Sequence, residues 1–229
     1  MGKTRQAMAA NASSGSSAPV AAAPKPAELN VRVSNGLKEF LWLLSDVQKG
    51  HLLDLGPIWQ STVGFFAQRR FRIYSEDLLR AWKDFRAQKE REAREAGATD
   101  LSAAMKPEAL AGHFLEYALA YPPENFDAVL AWDIFDYLDG ELMSRVIRRL
   151  YELLAPRGAM LTIFHSKPAE RFHRYRIADY QSIEMLPGPQ LFAQERIFKN
   201  SEILTSFSQF RSSKTFVGRD QLREGLFLK

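Results

Sequence analysis

The chain has 229 residues, 46% of them apolar, and a formal net charge of +4. That suits one domain of ordinary size with a sizeable core, plus a tail. No run of about 18 apolar residues occurs, so no membrane-spanning helix is expected. There is no cysteine, which excludes disulfides and thiolate metal sites. The charge is unevenly placed. Residues 1–25 carry three basic and no acidic side chains, residues 26–144 carry 13 basic and 19 acidic, and residues 145–229 carry 15 basic and 8 acidic. A basic C-terminal half attracts anionic partners, nucleic acid among them. No Arg/Lys run is dense or interleaved with aromatics, however, so solvated helix faces and strand edges are the expected use.

Residues 1–28 form an Ala/Ser/Pro-rich tail with almost no bulky apolar side chain. Such a segment cannot bury enough surface to offset its ordering entropy, and disorder is expected. Lys3 and Arg5 are not followed by an apolar h-region, so no secretory signal is expected. Gln6 stands where a myristoylation site needs Ser or Thr. The lack of cysteine fits a reducing compartment, and a cytoplasmic location is expected.

Residues 29–229 read as one domain. Leu37, Phe40, Leu41 and Leu44 share a stripe at helical spacing, which predicts a helix over 36–44. The run 51–55 predicts a strand that turns at Gly56 into a helix over about 61–68. Phe71 to Ser75 predicts a second strand. A helix starting at Leu78 buries Leu78, Leu79, Trp82 and Phe85, then continues as a polar extension held by charge pairs, with Gly97 as its stop. Pro107 suits the first turn of another helix carrying Leu110 inward. His113 to Tyr117 is expected to be a third strand. A turn at 122–125 leads into Phe126 to Asp133, a near-continuous apolar run typical of a central parallel strand. A helix over about 141–154 ends at Pro156 to Gly158, and 159–164 is a fifth strand. Segments 175–183 and 190–197 read as strand or loop, 201–207 as a short helix, and 214–218 and 225–228 as two closing strands. Strands alternating with helices imply an α/β sheet with right-handed crossovers, and the closing pair an antiparallel edge.

Three blocks carry a resemblance over roughly residues 36–228. They are Leu52-Leu-Asp-Leu-Gly56 with Glu76 ending the second strand, Asn125 to Leu138, and Leu150 to Leu161 with its Pro-x-Gly turn. Together they resemble the class I S-adenosylmethionine-dependent methyltransferase family. The resemblance implies a Rossmann-like sandwich, mostly parallel with an antiparallel C-terminal hairpin, and S-adenosyl-L-methionine as cofactor. In such a sheet ligands lie beyond the carboxyl ends of the strands. The family's first loop is similar to D-x-G-x-G-x-G. Here Asp54 and Gly56 match, while Ile58 and Gln60 occupy the later glycine positions and Pro57 removes a backbone donor. Either the donor binds a displaced loop, or the pocket closes on Ile58 and Trp59.

The implied cofactor-binding residues are Asp54, Gly56, Glu76 and Tyr117. Glu76 lies 22 residues after Asp54, close to the ~20-residue spacing at which an acid meets ribose hydroxyls. Capping of the helix at Leu78 is the other use of Glu76 or Asp77. Tyr117 falls where the family places a residue near adenine, and an aromatic ring there stacks or simply packs. Trp132-Asp133-Ile134-Phe135 lacks the two prolines of amide and base-amine methyltransferases, which argues against those acceptors. Asp133 and His165, at the ends of the fourth and fifth strands, are the catalytic candidates, Asp133 to orient substrate or act as base and His165 as general base near neutrality. Helix capping for Asp133 and a plain surface position for His165 are the alternatives. The remaining histidines, His51, His113 and His173, are scattered, and no metal site is expected.

Three functions remain open on these residues. One is a methyltransferase acting on a small molecule or another acceptor. A second is a methyltransferase-like module without cofactor that serves a protein partner, which Ile58, Gln60 and Tyr117 favour. The third is an anionic-polymer binder, marked by steep salt dependence.

Overall fold

The structure is a computed structural model that describes residues 30–97, 105–218 and 220–229. The expected tail, residues 1–28, lies outside them. The elements in order are β1 (Asn30–Val33), α1 (Asn35–Leu43), β2 (Gly50–Asp54), α2 (Gln60–Ala67), β3 (Phe71–Ser75), α3 (Leu78–Glu95), α4 (Pro107–Tyr117), β4 (Phe126–Trp132), a 3₁₀ turn (Ile134–Tyr137) and α5 (Gly140–Leu153). Then follow β5 (Leu154–His165), β6 (His173–Ile177), β7 (Ser182–Pro187), α6 (Asn200–Ser206), β8 (Ser212–Val217) and β9 (Leu222–Leu228). None of the described helices is long and apolar enough to cross a membrane.

Six strands form one sheet in the order β3-β2-β4-β5-β9-β8. The first four run parallel, and β9 pairs antiparallel with both β5 and β8. This is the Rossmann-like α/β architecture with a closing antiparallel hairpin that the three sequence blocks imply. From β2 the chain steps to β3 on one side, then returns across β2 to β4 on the other. The carboxyl ends of β2 and β4 therefore flank the switch point, where such sheets open a crevice.

The strands are apolar on both faces because both are covered. Leu53, Val129, Met160, Phe164 and Phe227 face α3, α4, α5 and α6. Leu52, Ala128, Leu130, Leu161 and Leu226 face α1, α2 and a second, three-stranded antiparallel sheet, β1-β7-β6. Each fully buried Leu or Phe contributes about 1.5–3 kcal/mol. Arg32 of β1 fixes the small sheet to the large one through ion pairs with Glu224 at 2.7 Å and Asp220 at 2.6 Å. Glu224 also accepts from the Gly36 amide at the start of α1.

Two expectations are corrected. His113 to Tyr117 is not a third strand but the second half of α4. Leu110, Ala111, Phe114 and Ala118 are all buried, a helical spacing that the five-residue window conceals because its own pattern also alternates. The segment Pro156 to Gly158 does not end a helix ahead of a strand. It lies within β5, where the register moves from Phe126↔Leu154 to Ala128↔Ala159 and extrudes three residues. Arg157 takes a positive φ of 67° there. At Gly158 a Cβ would stand 2.8 Å from the Ala155 carbonyl, so the bulge requires glycine. The two segments that read as strand or loop divide between those states: β6 and β7 form a hairpin, and 188–199 is loop.

Phe114 is 2% exposed and stacks near Trp82 at 4.9 Å, whereas Tyr117 is 73% exposed. Phe114→Ala is expected to cost about 3–5 kcal/mol in urea unfolding, and Tyr117→Ala under about 1 kcal/mol. Equal losses would contradict the helical placement.

Candidate functional site

The carboxyl edge of the sheet gathers all six candidate residues, in two groups. The first begins at the end of β2. The Asp54 carboxylate turns back into the protein, where its Oδ1 accepts from the Gly56 amide at 3.0 Å and from the Trp132 indole Nε1 at 2.6 Å. Burial dominates its ionisation and pushes its pKa up to about 6, with these two donors working against the rise. Gly56 is needed here for space. A Cβ would lie 2.8 Å from both Cδ1 and Nε1 of Trp132. The glycine thus makes room for the protein's own indole at the crevice between β2 and β4.

The pocket is closed, but not by the residues expected to close it. Ile58 is 72% exposed. Trp59 lies at the N-terminus of α2 under the guanidinium of Arg176. Trp132 is the residue that fills the space. It ends β4 at a second register shift, Leu130↔Leu161 then Trp132↔Thr162. Its φ is +50°, a conformation that costs a bulky residue about 1–3 kcal/mol. Thr162 Oγ1 holds its carbonyl at 2.6 Å, and its ring stacks on Tyr175 at 5.7 Å with 9° between planes.

Glu76 follows β3 and lies beside this crevice, since its amide donates to the Asp54 carbonyl and Ser75 Oγ donates to the Gly56 carbonyl. Its Oε2 accepts from the Leu119 amide at 3.0 Å. Burial, and then the Glu76 carboxylate, push the Tyr121 phenol up. Capping of α3 falls to Asp77, which accepts from the Arg80 amide and pairs with Arg174 at 2.9 Å. Glu76 and Tyr117 line one cavity of about 550 Å³ between α3 and α4, floored by Phe85 and Phe114. That size suits a small ligand.

The second group surrounds the ends of β4 and β5. Asp133 is buried and accepts from the Tyr175 hydroxyl at 2.9 Å. Burial is the main cause of its pKa rising to about 7, helped by the charge of Asp136 and opposed by that of His165. His165 Nδ1 lies 3.9 Å from Asp133 but only 2.7 Å from Asp136 Oδ2, which also accepts the His165 backbone amide at 2.8 Å. Burial raises the Asp136 pKa as well, against both of those bonds. In His165, burial opposes the charged ring, but the bond to Asp136 and the charges of Asp133 and Asp136 outweigh it and raise the pKa. Asp136 Oδ1 and the Tyr137 hydroxyl are buried without a hydrogen-bond partner among the described residues. His165 reaches a cavity of about 360 Å³ that Lys167 and His173 also line.

The structure therefore brings Asp54 to Gly56, Glu76 to Tyr117, and Asp133 to His165. Four contributors were not assigned roles from sequence: Asp136, Trp132, Tyr175 and Gln194, whose Nε2 lies 3.5 Å from Asp136. Trp132 and Asp136, at and just past the carboxyl end of a predicted central strand, carried a readable signal. The basic C-terminal half is drawn inward, with Arg174 on Asp77, Lys214 on Glu39, Lys229 near Glu124 and Arg149 on the carbonyls of Leu119 and Tyr121.

No protein-family model matches the chain, and no curated protein matches it in sequence. Solved structures resemble it in fold. One is the Burkholderia thailandensis 1,6-didemethyltoxoflavin-N1-methyltransferase with bound 1,6-didemethyltoxoflavin and S-adenosylhomocysteine. It has 12% identity and a TM-score of 0.45, covering 86% of this chain and 79% of that one. Others are S-adenosylmethionine-dependent methyltransferases from Aquifex aeolicus (11%, TM-score 0.43, 86% and 90% covered) and Mesorhizobium loti (13%, 0.41, 83% and 96%).

Asp54 and Asp133 have folded pKa values above the ordinary carboxylate value near 4. Their contribution to stability is full below about pH 4 and is lost as pH rises through about 6 to 7. Asp133→Asn, which still accepts the Tyr175 hydroxyl, is expected to flatten the decline of urea stability over that window relative to wild type. Asp136→Asn is expected to lower the His165 pKa, because burial then acts with weaker opposition. NMR titration of the imidazole Cε1 proton, assigned with His165→Gln, checks this.

Proposed function

We propose that the protein is an S-adenosylmethionine-dependent methyltransferase acting on a small molecule that carries an ionisable O–H or N–H group. One observation carries the reading. At the switch-point end of the sheet, a loop-and-acid set of Asp54, Gly56 and Glu76 stands beside an imidazole held by a buried carboxylate.

The residues fit the donor in kind and place, with one obstruction. Its nucleoside end suits the cavity of Glu76 and Tyr117, where a carboxylate can accept from a ribose diol beside aromatic rings. Its amino-acid end belongs in the crevice over Gly56, which Trp132 now fills. When bound, the donor supplies an activated methyl group on sulfur, and the protein's part is positioning and exclusion of water.

Proton handling falls to His165. Asp136 Oδ2 accepts from both the backbone amide and Nδ1. That fixes the Nδ1–H tautomer and leaves Nε2 as the proton acceptor. Nε2 makes no hydrogen bond among the described residues and is free to take a proton from an acceptor in the adjoining cavity. General-base assistance of this kind contributes about 10²–10⁴-fold. Asp133 touches neither cavity as lined here. Its role is electrostatic, a positioning residue for His165 rather than a base.

A second reading rests on the filled crevice: a methyltransferase-like module that binds a partner and no cofactor. Isothermal calorimetry with S-adenosylhomocysteine separates the two. Binding that weakens about tenfold or more in Glu76→Gln is expected, since a hydrogen bond to a charged group is worth roughly 1.5–3 kcal/mol. Absence of binding at millimolar ligand, to wild type and to the Trp132→Ala variant alike, leaves the cofactor-free module.

A further inference from the structure

The crevice at the switch point is filled by a side chain that behaves as a ligand would. The Trp132 indole lies against the bare face of Gly56. Its N–H reaches Asp54 Oδ1 at 2.6 Å, and the opposite face of the bond network is closed by the stacked ring of Tyr175. An N–H donor thus satisfies the buried carboxylate that would otherwise face an amino group. The cavity of Glu76 and Tyr117 has no such occupant among the described residues and stays open at about 550 Å³.

The geometry points to Trp132 as a displaceable plug of the donor's amino-acid subsite, which makes it the residue that decides what the carboxyl edge binds. This rests on the methyltransferase reading. With the indole in place, the edge accepts a nucleoside alone. A nucleoside carrying an amino-acid tail binds only by driving the indole off Asp54 and Gly56. The backbone supports such a movement. Trp132 pairs with Thr162 at a register shift and has a φ of +50°, with its carbonyl accepting from Thr162 Oγ1. A strained residue at a site is a known form of bistability. Asp54 then gains a new donor from the ligand's ammonium group, so the exchange replaces one N–H bond by another.

The test compares adenosine with S-adenosylhomocysteine by calorimetry on wild type, Trp132→Ala and Trp132→Phe. S-adenosylhomocysteine is expected to bind Trp132→Ala at least tenfold more tightly than wild type, while adenosine binds both equally. Trp132→Phe keeps most of the packing but cannot donate to Asp54, and is expected to fall between them. It also keeps the comparison intact if the alanine variant fails to fold. In wild type, S-adenosylhomocysteine but not adenosine is expected to shift the indole fluorescence component missing from Trp132→Phe. Equal affinity of S-adenosylhomocysteine for wild type and both variants overturns the plug and leaves the methyltransferase reading standing. A gain for adenosine as large as that for S-adenosylhomocysteine also overturns it, since general loosening then explains the effect. No binding of S-adenosylhomocysteine to any of the folded proteins overturns the methyltransferase reading itself.

Discussion

The bond from the Trp132 indole to Asp54 is the contact around which the carboxyl edge is organised. It joins the ends of β2 and β4, the two strands that flank the switch point. It requires glycine at position 56, because any Cβ there would overlap the ring. It also requires the bulge that turns Trp132 toward β2, and the aromatic face of Tyr175 behind it. A carboxylate taken out of water is stable only if it is satisfied, and Asp54 is satisfied internally by two donors. The first loop therefore does not need a ligand to be complete, even though it is placed where a ligand would lie.

Electrostatics extend the same pattern across the ends of β4 and β5. Asp54, Asp133 and Asp136 are all buried, and burial raises the pKa of each. His165 answers two of them, with a close bond to Asp136 and a longer-range attraction to Asp133. Leaving a carboxylate oxygen and a phenol buried without partners is costly. Asp136 Oδ1 and Tyr137 are both so placed. Part of the basic C-terminal half, by contrast, fastens the molecule. Its arginines and lysines meet acids and carbonyls of the N-terminal half, and the two opposite charge excesses meet across the domain.

Most elements were legible because apolar periodicity is local. The Phe126 to Trp132 run reads as a covered strand, and the stripe of Leu142, Val146, Leu150 and Leu153 reads as a helix, from neighbours a few residues away. Five residues from His113 to Tyr117 were too short to separate a period of 2 from one of 3.6, and packing of Phe114 on Trp82 decided for the helix. β1, β6 and β7 carry no strong pattern of their own. β1 pairs with β7 across some 150 residues of chain, Asn30 with Met185 and Val33 with Ser182, and such pairing leaves no trace in a local window. The candidate site behaves likewise. Asp54, Gly56, Glu76, Asp133 and His165 were marked as candidates by the family resemblance together with strand ends that can be located, where ligands gather in such sheets.

The sequence by itself determined most strands and helices of the main sheet and its two apolar faces, because these follow from spacing along the chain, and its family resemblance marked the acids and histidine at the carboxyl edge. Only the tertiary structure decided which partner each of those groups meets. Gly56 is written in the sequence as a place where something must come close. That the something is Trp132, 76 residues further along, depends on β2 and β4 lying side by side and on a bulge that turns one ring inward. Spacing along a chain specifies which face a residue occupies; contact across a sheet, which no local pattern encodes, specifies what stands in front of it.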